Sequence, residues 1–239
     1  MICADMNILG PQLGWRTVYI IEYLGPVLIH ILFPVLRSYI YSETKPLSTS
    51  QLLSRLLIVL HFLKREYETI FVHKFSLATM PATNIFKNCF HYWILGGVYL
   101  AYFAYAPNSY GALSSPTLSY LDILGVVLFI FGESANLYTH IVLSNLRTAG
   151  DTKRGIPKGF GFGLVTCPNY LFETIAWAGM CLTTRSLSTV IFTVHGIYHM
   201  YRWAVGKEKR YQEEFGDKYK KHRYVMFPSP GAVVKALIG

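Results

Sequence analysis

The sequence predicts an all-α protein, a polytopic membrane bundle of about six transmembrane helices that ends in an amphipathic cytosolic tail. Three observations carry this. Of the 239 residues, 52% are hydrophobic and only 15% are charged, which departs from the balance of soluble chains. No Asp, Glu, Lys or Arg occurs from Asn88 to Leu121, a run longer than the roughly 20 apolar residues that a bilayer helix needs. The basic residues, finally, are crowded into alternate loops, as the orientation of membrane chains requires.

Hydrophobic runs place the spans at 17–40, 50–70, 88–106, 118–143, 164–183 and 187–205. The first contains Pro26 and Pro34 and is expected to be kinked or broken. The second, with Lys64, Arg65, Glu66 and Glu68 near its end, is the most polar and is expected to lie partly in the interface. The remaining four read as ordinary bundle helices. An even number of spans puts both termini on one side. Segments 1–16, 71–87, 144–163 and 206–239 share that side and hold fifteen Lys and Arg, whereas the opposite loops hold only Lys45 and Arg185. That asymmetry makes the termini cytosolic. The net charge of +9 then reflects topology and attraction to lipid headgroups, and no nucleic-acid partner is expected.

The N-terminus shows no cleavable signal pattern. The expected organisation is a short cytosolic segment, 1–16, followed by one membrane domain over 17–239. Cys3, Cys89, Cys167 and Cys181 have neither metal nor redox spacing and read as reduced thiols used as small hydrophobes. No metal site is expected.

Three spans carry polar residues at helical spacing. Asn136, His140 and Arg147 share one face, His61, Lys64 and Glu68 a second, and Asn169, Glu173 and Trp177 a third, with Tyr170 adjacent. Each set has a plain explanation: an i,i+4 ion pair for Lys64 and Glu68, snorkelling for Arg147, helix-to-helix hydrogen bonds for Asn136 and Asn169. The derived orientation, however, brings all three faces to the cytosolic depth of the membrane, where they can line one pocket. The loop 145–163 contains Arg147, Lys153, Arg154 and Lys158 before the glycine-rich GFGFG. It lacks the dinucleotide fingerprint and a preceding strand, yet its cations suit phosphates; binding to the membrane surface explains it equally well. In the tail, Tyr211 and Phe215, then Tyr219 and Arg223, stand four apart, as in a surface helix or a lid over a nucleotide.

Four blocks together resemble the steroid 5-alpha-reductase family, and within it the very-long-chain trans-2-enoyl-CoA reductases: KREYETIFVHKFSLATMPATNIFKNCFHYW at 64–93, NLYTHIVLSNLRTAG at 136–150, CPNYLFETIAW at 167–177 and YQEEFGDKYKKHR at 211–223. The resemblance implies an NADPH-dependent reductase of the endoplasmic reticulum membrane, multi-pass and with its active site facing the cytosol. Its substrate would be a trans-2-enoyl-CoA, and membrane lipids and other fatty-acid elongation enzymes are the implied partners. It implies Tyr170 and Lys64 as the catalytic pair, and Asn136, Arg147, Asn169, Glu173, Tyr211, Tyr219 and Arg223 as cofactor-binding residues. Glu68, Lys87 and His140 fall on the substrate side. His140 departs from the acid usual in the steroid branch, and Lys220 from a common proline. Enoyl reductases of this type usually carry a ubiquitin-like domain before the first span, so a shortened form is expected here. The alternatives are a sterol-enone reductase, a membrane lipid or isoprenylcysteine methyltransferase, and a non-enzymatic scaffold of an elongation complex.

Overall fold

One helix, α1 (Trp15–Tyr41), runs unbroken through both Pro26 and Pro34, in a computed structural model that describes residues 10–42, 45–75, 79–114, 117–147, 155–220 and 224–238. The break expected at the prolines does not occur, and neighbouring donors show why. Pro34 has no N–H to offer the carbonyl of His30. Arg55 takes that carbonyl instead through Nε at 3.0 Å, and through Nη2 the carbonyl of Ile31 at 3.1 Å. Beside Pro26, Trp93 donates from Nε1 to the Ile21 carbonyl at 2.9 Å. Gly25 permits this approach, because a Cβ there would meet the Trp93 ring at 2.2 Å.

Helix α2 (Thr49–Tyr67) begins on a reciprocal cap: Gln51 N donates to Ser48 Oγ at 3.2 Å and Ser48 N to Gln51 Oε1 at 3.1 Å. It passes directly into a π turn, Glu68–Val72. A two-stranded antiparallel sheet follows, β1 (Gln12–Gly14) with β2 (Thr79–Pro81), Leu13 standing opposite Met80. Nothing in the residue pattern announces these strands, which are three residues each. A continuous helical stretch then follows, made of α3 (Asn84–Cys89), a π segment (Phe90–Tyr99) and α4 (Leu100–Ala104), most of it supplied by the charge-free run that begins at Asn88. After it come α5 (Tyr110–Leu113), α6 (Tyr120–Asn145), α7 (Pro168–Thr184), α8 (Leu187–Phe215), a 3-10 turn (Gly216–Lys218) and α9 (Pro230–Ile238).

The chain is thus mainly helical, and each of the six expected segments overlaps helix. Among the described residues, two helices, α1 and α6, are long and apolar enough to cross a bilayer. The others fall short for visible reasons. α2 carries Arg55, Lys64, Arg65 and Glu66. α7 has 17 residues, the stretch over 84–104 is divided by its π segment, and α8 is diluted by His195, His199 and Arg202 before it runs on past 205 into the charged KEKRYQEEF. The distribution of side chains is nevertheless inverted relative to a soluble protein. Val35 on α1, Leu56 on α2, Ile130 on α6 and Val194 on α8 are exposed while Glu22, His30, Arg37, Glu68, Asp122 and Asn136 are buried. Outward apolar faces over an inward polar lining suit a lipid solvent.

Two compact units divide the chain. The first comprises Met1–Ser119 with Thr183–Thr189, the second Tyr120–Leu182 with Val190–Gly239. In the first, α1 packs on α2 and on the π segment. His30 ties these together: its Nε2 faces the Gly96 carbonyl at 3.0 Å and so carries the proton, which leaves Nδ1 to accept from the Tyr105 hydroxyl at 2.6 Å.

In the second unit α6 and α7 cross at small residues. A Cβ on Gly132 would lie 2.5 Å from Ala176 N, and one on Gly179 would lie 2.4 Å from the Gly125 carbonyl. The backbones touch, as small-residue crossings allow. Gly132→Leu should therefore force the helices apart and lower stability by about 1–3 kcal/mol, read as a fall in thermal unfolding temperature in detergent. An unchanged melting curve would show that α6 and α7 do not need this contact.

Candidate active site

In the second unit, the crossing of α6 and α7 sets the site. Asn136 lies one turn from Gly132 along α6, and Asn169 two turns from Ala176 along α7. Asn136 is buried and its Nδ2 donates to the Asn169 carbonyl at 2.8 Å, while Thr139 Oγ1 donates to the carbonyl of Asn136 at 2.8 Å. Pro168 opens α7, a favoured first position because its missing N–H would have no helical partner. Asn169 and Tyr170 thereby fall in the first turn, with Glu173 one turn on. Asn169 is 5% exposed, and its Oδ1 is buried with no hydrogen-bond partner among the described residues. A buried amide oxygen without a donor costs about 1–3 kcal/mol.

Tyr170 is half-buried, packed on Cys167, Ala204 and Met226, with its ring 6.4 Å from that of Trp203. Glu173 is also half-buried. His140 is buried further along the α6 face, and Arg147 follows the helix, its N–H on the Ser144 carbonyl at 3.1 Å. The glycine-rich loop folds onto the same helices: Phe160 stacks on Phe172 at 5.4 Å, and Gly161, at φ +82°, lies where a Cβ would meet Pro168 at 2.6 Å. A side chain at 161 is excluded on both counts.

The tail is held by a residue that the sequence reading did not name. Glu208 is buried, and its carboxylate accepts from three side chains: the Thr166 hydroxyl, the Tyr219 hydroxyl at 2.6 Å and Gln212 Nε2 at 3.0 Å. Beyond Tyr219 the chain runs back along the start of α7, with Thr166 N on the Tyr224 carbonyl and Cys167 N on that of Val225 at 3.3 and 3.0 Å. Tyr211 and Tyr219 are both buried, ring to ring at 5.3 Å. The Tyr219 phenol is therefore engaged with Glu208, and burial together with that carboxylate raises its pKa above the ordinary tyrosine value. Arg223, paired with Tyr219 by spacing, lies outside the described residues, as do Lys153 and Arg154 of the basic loop.

Lys64, Glu68 and Lys87 belong to the first unit. Glu68 is fully buried, with Arg65 Nη1 on Oε2 at 2.7 Å and the Lys64 ammonium 3.1 Å from Oε1, off the hydrogen-bond axis. Arg65 also donates from Nη2 to the Tyr23 hydroxyl at 3.0 Å. The π turn begins at Glu68, and Thr69 Oγ1 donates to the Arg65 carbonyl at 2.8 Å. Such turns are common at functional sites. Lys64 thus sits in a triad of two cations and one carboxylate. Lys87 is exposed on α3. Sequence reasoning passed over Glu22, which is buried in α1 and accepts from Asn88 Nδ2 at 2.5 Å. An acid in an otherwise apolar span was the available signal.

Comparison with known proteins gives this arrangement a family. Residues 78–229 match the family described as 3-oxo-5-alpha-steroid 4-dehydrogenase. A Schizosaccharomyces pombe protein provisionally named enoyl reductase is 47% identical over 92% of this chain and 73% of its own length. The very-long-chain enoyl-CoA reductase of Dictyostelium discoideum is 44% identical over 92% of this chain and 71% of its own. A Caenorhabditis elegans protein provisionally named very-long-chain enoyl-CoA reductase is 36% identical, over 92% and 73%. The chain belongs to the 3-oxo-5-alpha-steroid 4-dehydrogenase family, the steroid 5-alpha-reductases that its residues resemble.

Proposed function

We propose that the protein is an NADPH-dependent membrane reductase that saturates the trans-2 double bond of very-long-chain enoyl-CoA, the closing step of a fatty-acid elongation cycle. Relatives bearing that name over nine-tenths of the chain support the reaction. The observation that carries the cofactor is the buried Oδ1 of Asn169, which has no hydrogen-bond partner among the described residues. It is an acceptor awaiting an N–H donor, and the carboxamide of a nicotinamide supplies one. Glu173, one turn on, offers acceptors for the same amide or a ribose hydroxyl. Arg147, at the end of α6, is placed to meet phosphate.

When bound, NADPH supplies a hydride to the β carbon of the enoyl thioester. The protein's part is to manage the charge and the proton. Negative charge builds on the thioester oxygen as the β carbon is reduced, and the α carbon then takes a proton. Tyr170 donates it: a phenol hydroxyl is a weak acid that can give its proton to a more basic enolate. Lys64 keeps the role that the resemblance gives it, stabilising the negative charge. Asn136 fixes the start of α7 through the Asn169 carbonyl, which leaves the Asn169 side chain aimed at its ligand.

On this reading the enzyme is a multi-pass protein of the endoplasmic reticulum with its site open to the cytosol. The test is NADPH oxidation by the detergent-purified protein with trans-2-hexadecenoyl-CoA, the expected product being the saturated acyl-CoA. NADPH binding without turnover would redirect the substrate to a sterol enone. Absence of binding would overturn the reductase reading in favour of a methyltransferase or scaffold. Glu173→Ala should raise the NADPH dissociation constant roughly tenfold, the loss of one charge-assisted hydrogen bond, measured by equilibrium titration. An unchanged constant would remove Glu173 from the cofactor site.

A further inference from the structure

The first unit contains a cavity of about 490 Å³ lined by Arg37, Lys45 and Arg55 together with Pro34, Leu47 and Leu52. Two guanidiniums and a lysine around one cavity repel each other, and burial makes this worse. Arg37 is only 5% exposed. No carboxylate among the described residues pairs with Arg37 or Arg55. Their partners are neutral carbonyls: Tyr105 at 2.9 Å and Lys45 at 2.6 Å for Arg37, His30 and Ile31 for Arg55. Those bonds use Nε and one terminal nitrogen of each side chain. Arg37 Nη2 and Arg55 Nη1 keep their donors without a partner among the described residues. The backbone holds both guanidiniums rigidly, so little side-chain entropy remains to be lost when an anion arrives.

We propose that this cavity is a binding site for the phosphate of an anionic phospholipid. The guanidiniums take the phosphate oxygens, since arginine is suited to phosphate by geometry as well as charge. The lipid, rather than a free phosphate, follows from what adjoins the cations. Leu52 lines the cavity and is 49% exposed, and Leu56, one turn further along α2, is 54% exposed; Val35 beside Pro34 on α1 is 71% exposed. A polar head held at Arg37 and Arg55 leaves its acyl chains lying along this apolar face. The bound lipid would hold α1 and α2 together at the turn around Pro34, where Arg55 reaches the carbonyls of α1. The proposal rests on α1 lying in a membrane, and it concerns no residue placed in the cofactor or catalytic machinery.

Thermal unfolding of the protein in dodecyl maltoside, without substrate or cofactor, tests it independently of the reductase reading. Dioleoylphosphatidylglycerol, dioleoylphosphatidylcholine and inorganic phosphate are added in parallel, and native mass spectrometry counts the lipid retained. The expected result is a saturable upward shift with phosphatidylglycerol, one molecule retained, and a much smaller shift with the zwitterionic lipid. Arg37→Gln and Arg55→Gln should weaken the apparent affinity about tenfold. Lys45→Gln, which keeps the backbone carbonyl that accepts from Arg37, should weaken it several-fold. Equal shifts with both lipids, or an undiminished preference in Lys45→Gln and in whichever arginine variants fold, would overturn the site. An equal shift with inorganic phosphate alone would overturn the lipid and leave a free-anion site.

Discussion

Tyr170→Phe is expected to lower turnover by roughly 10²–10⁴-fold, the range that general acid catalysis contributes, while NADPH binding stays within a factor of two or so of the native value. The two halves of this expectation come from different parts of the side chain. The ring packs on Cys167, Ala204 and Met226 and lies near Trp203, and phenylalanine preserves all of that. Only the hydroxyl is lost, and with it the proton that the proposed mechanism delivers to the α carbon. Asn169 and Glu173 stay where α7 puts them, so the cofactor should still bind. The measurement pairs steady-state NADPH oxidation on trans-2-hexadecenoyl-CoA with a cofactor titration monitored by nucleotide fluorescence. Near-normal turnover would remove Tyr170 as the obligatory donor. Joint loss of binding and turnover would make it a cofactor residue instead. Lys64→Met in the same assay reads the other half of the pair. Because Glu68 neutralises part of the cation charge around Lys64 and Arg65, this variant also leaves Glu68 with one partner fewer, so its thermal stability has to be recorded beside its rate.

The helices were legible because the signal for them is local. Apolar runs placed the helices, although α8 extends ten residues past its expected end at 205, and a step of four along α7 put Asn169 and Glu173 on one face. The meeting of Asn136 with Asn169 was foreshadowed only as a shared depth; the contact itself depends on Gly132 and Gly179 allowing two backbones to touch, and no spacing rule announces that. Of the kink or break expected at the prolines, the break is absent. Pro34 orphans the carbonyl of His30, and Arg55, twenty-one residues from Pro34 in sequence, supplies the donor. The same non-locality hid Glu208. In KEKRYQEEF it looks like one more charge on a solvated helix, and its burial appears only once the tail turns at Gly216 and Tyr219 comes back to meet it.

Glu208→Ala should loosen that tail more than any other single change in the second unit. The carboxylate is the common acceptor for Thr166, Gln212 and Tyr219, and removing it leaves buried donors unsatisfied, at about 1–3 kcal/mol for each group that cannot reach water. Gln212 is at the edge and can be rehydrated, whereas Thr166 and Tyr219 are buried, so a total loss of about 2–5 kcal/mol is expected. The segment 224–226, held to the start of α7 by two backbone hydrogen bonds, should then open locally. Trypsin should cut after Lys218 or Lys220 faster than in the native protein, and NADPH affinity should fall because the turn before Asn169 loses its cover. Tyr219→Phe removes one donor and keeps the ring against Tyr211, so its effect should be about 1 kcal/mol. The pH dependence follows from the raised pKa of the Tyr219 phenol. The folded state prefers the protonated hydroxyl more than the unfolded chain does, so the contribution is complete below the ordinary phenol range near 10 and is lost as pH rises beyond it. The tail should therefore remain closed across neutral and mildly alkaline pH, and limited proteolysis should show a rise above pH 10 that Tyr219→Phe abolishes. Unaltered proteolysis in Glu208→Ala would mean that the Met226 packing against Cys167 and Ala204 closes the tail without help from the carboxylate.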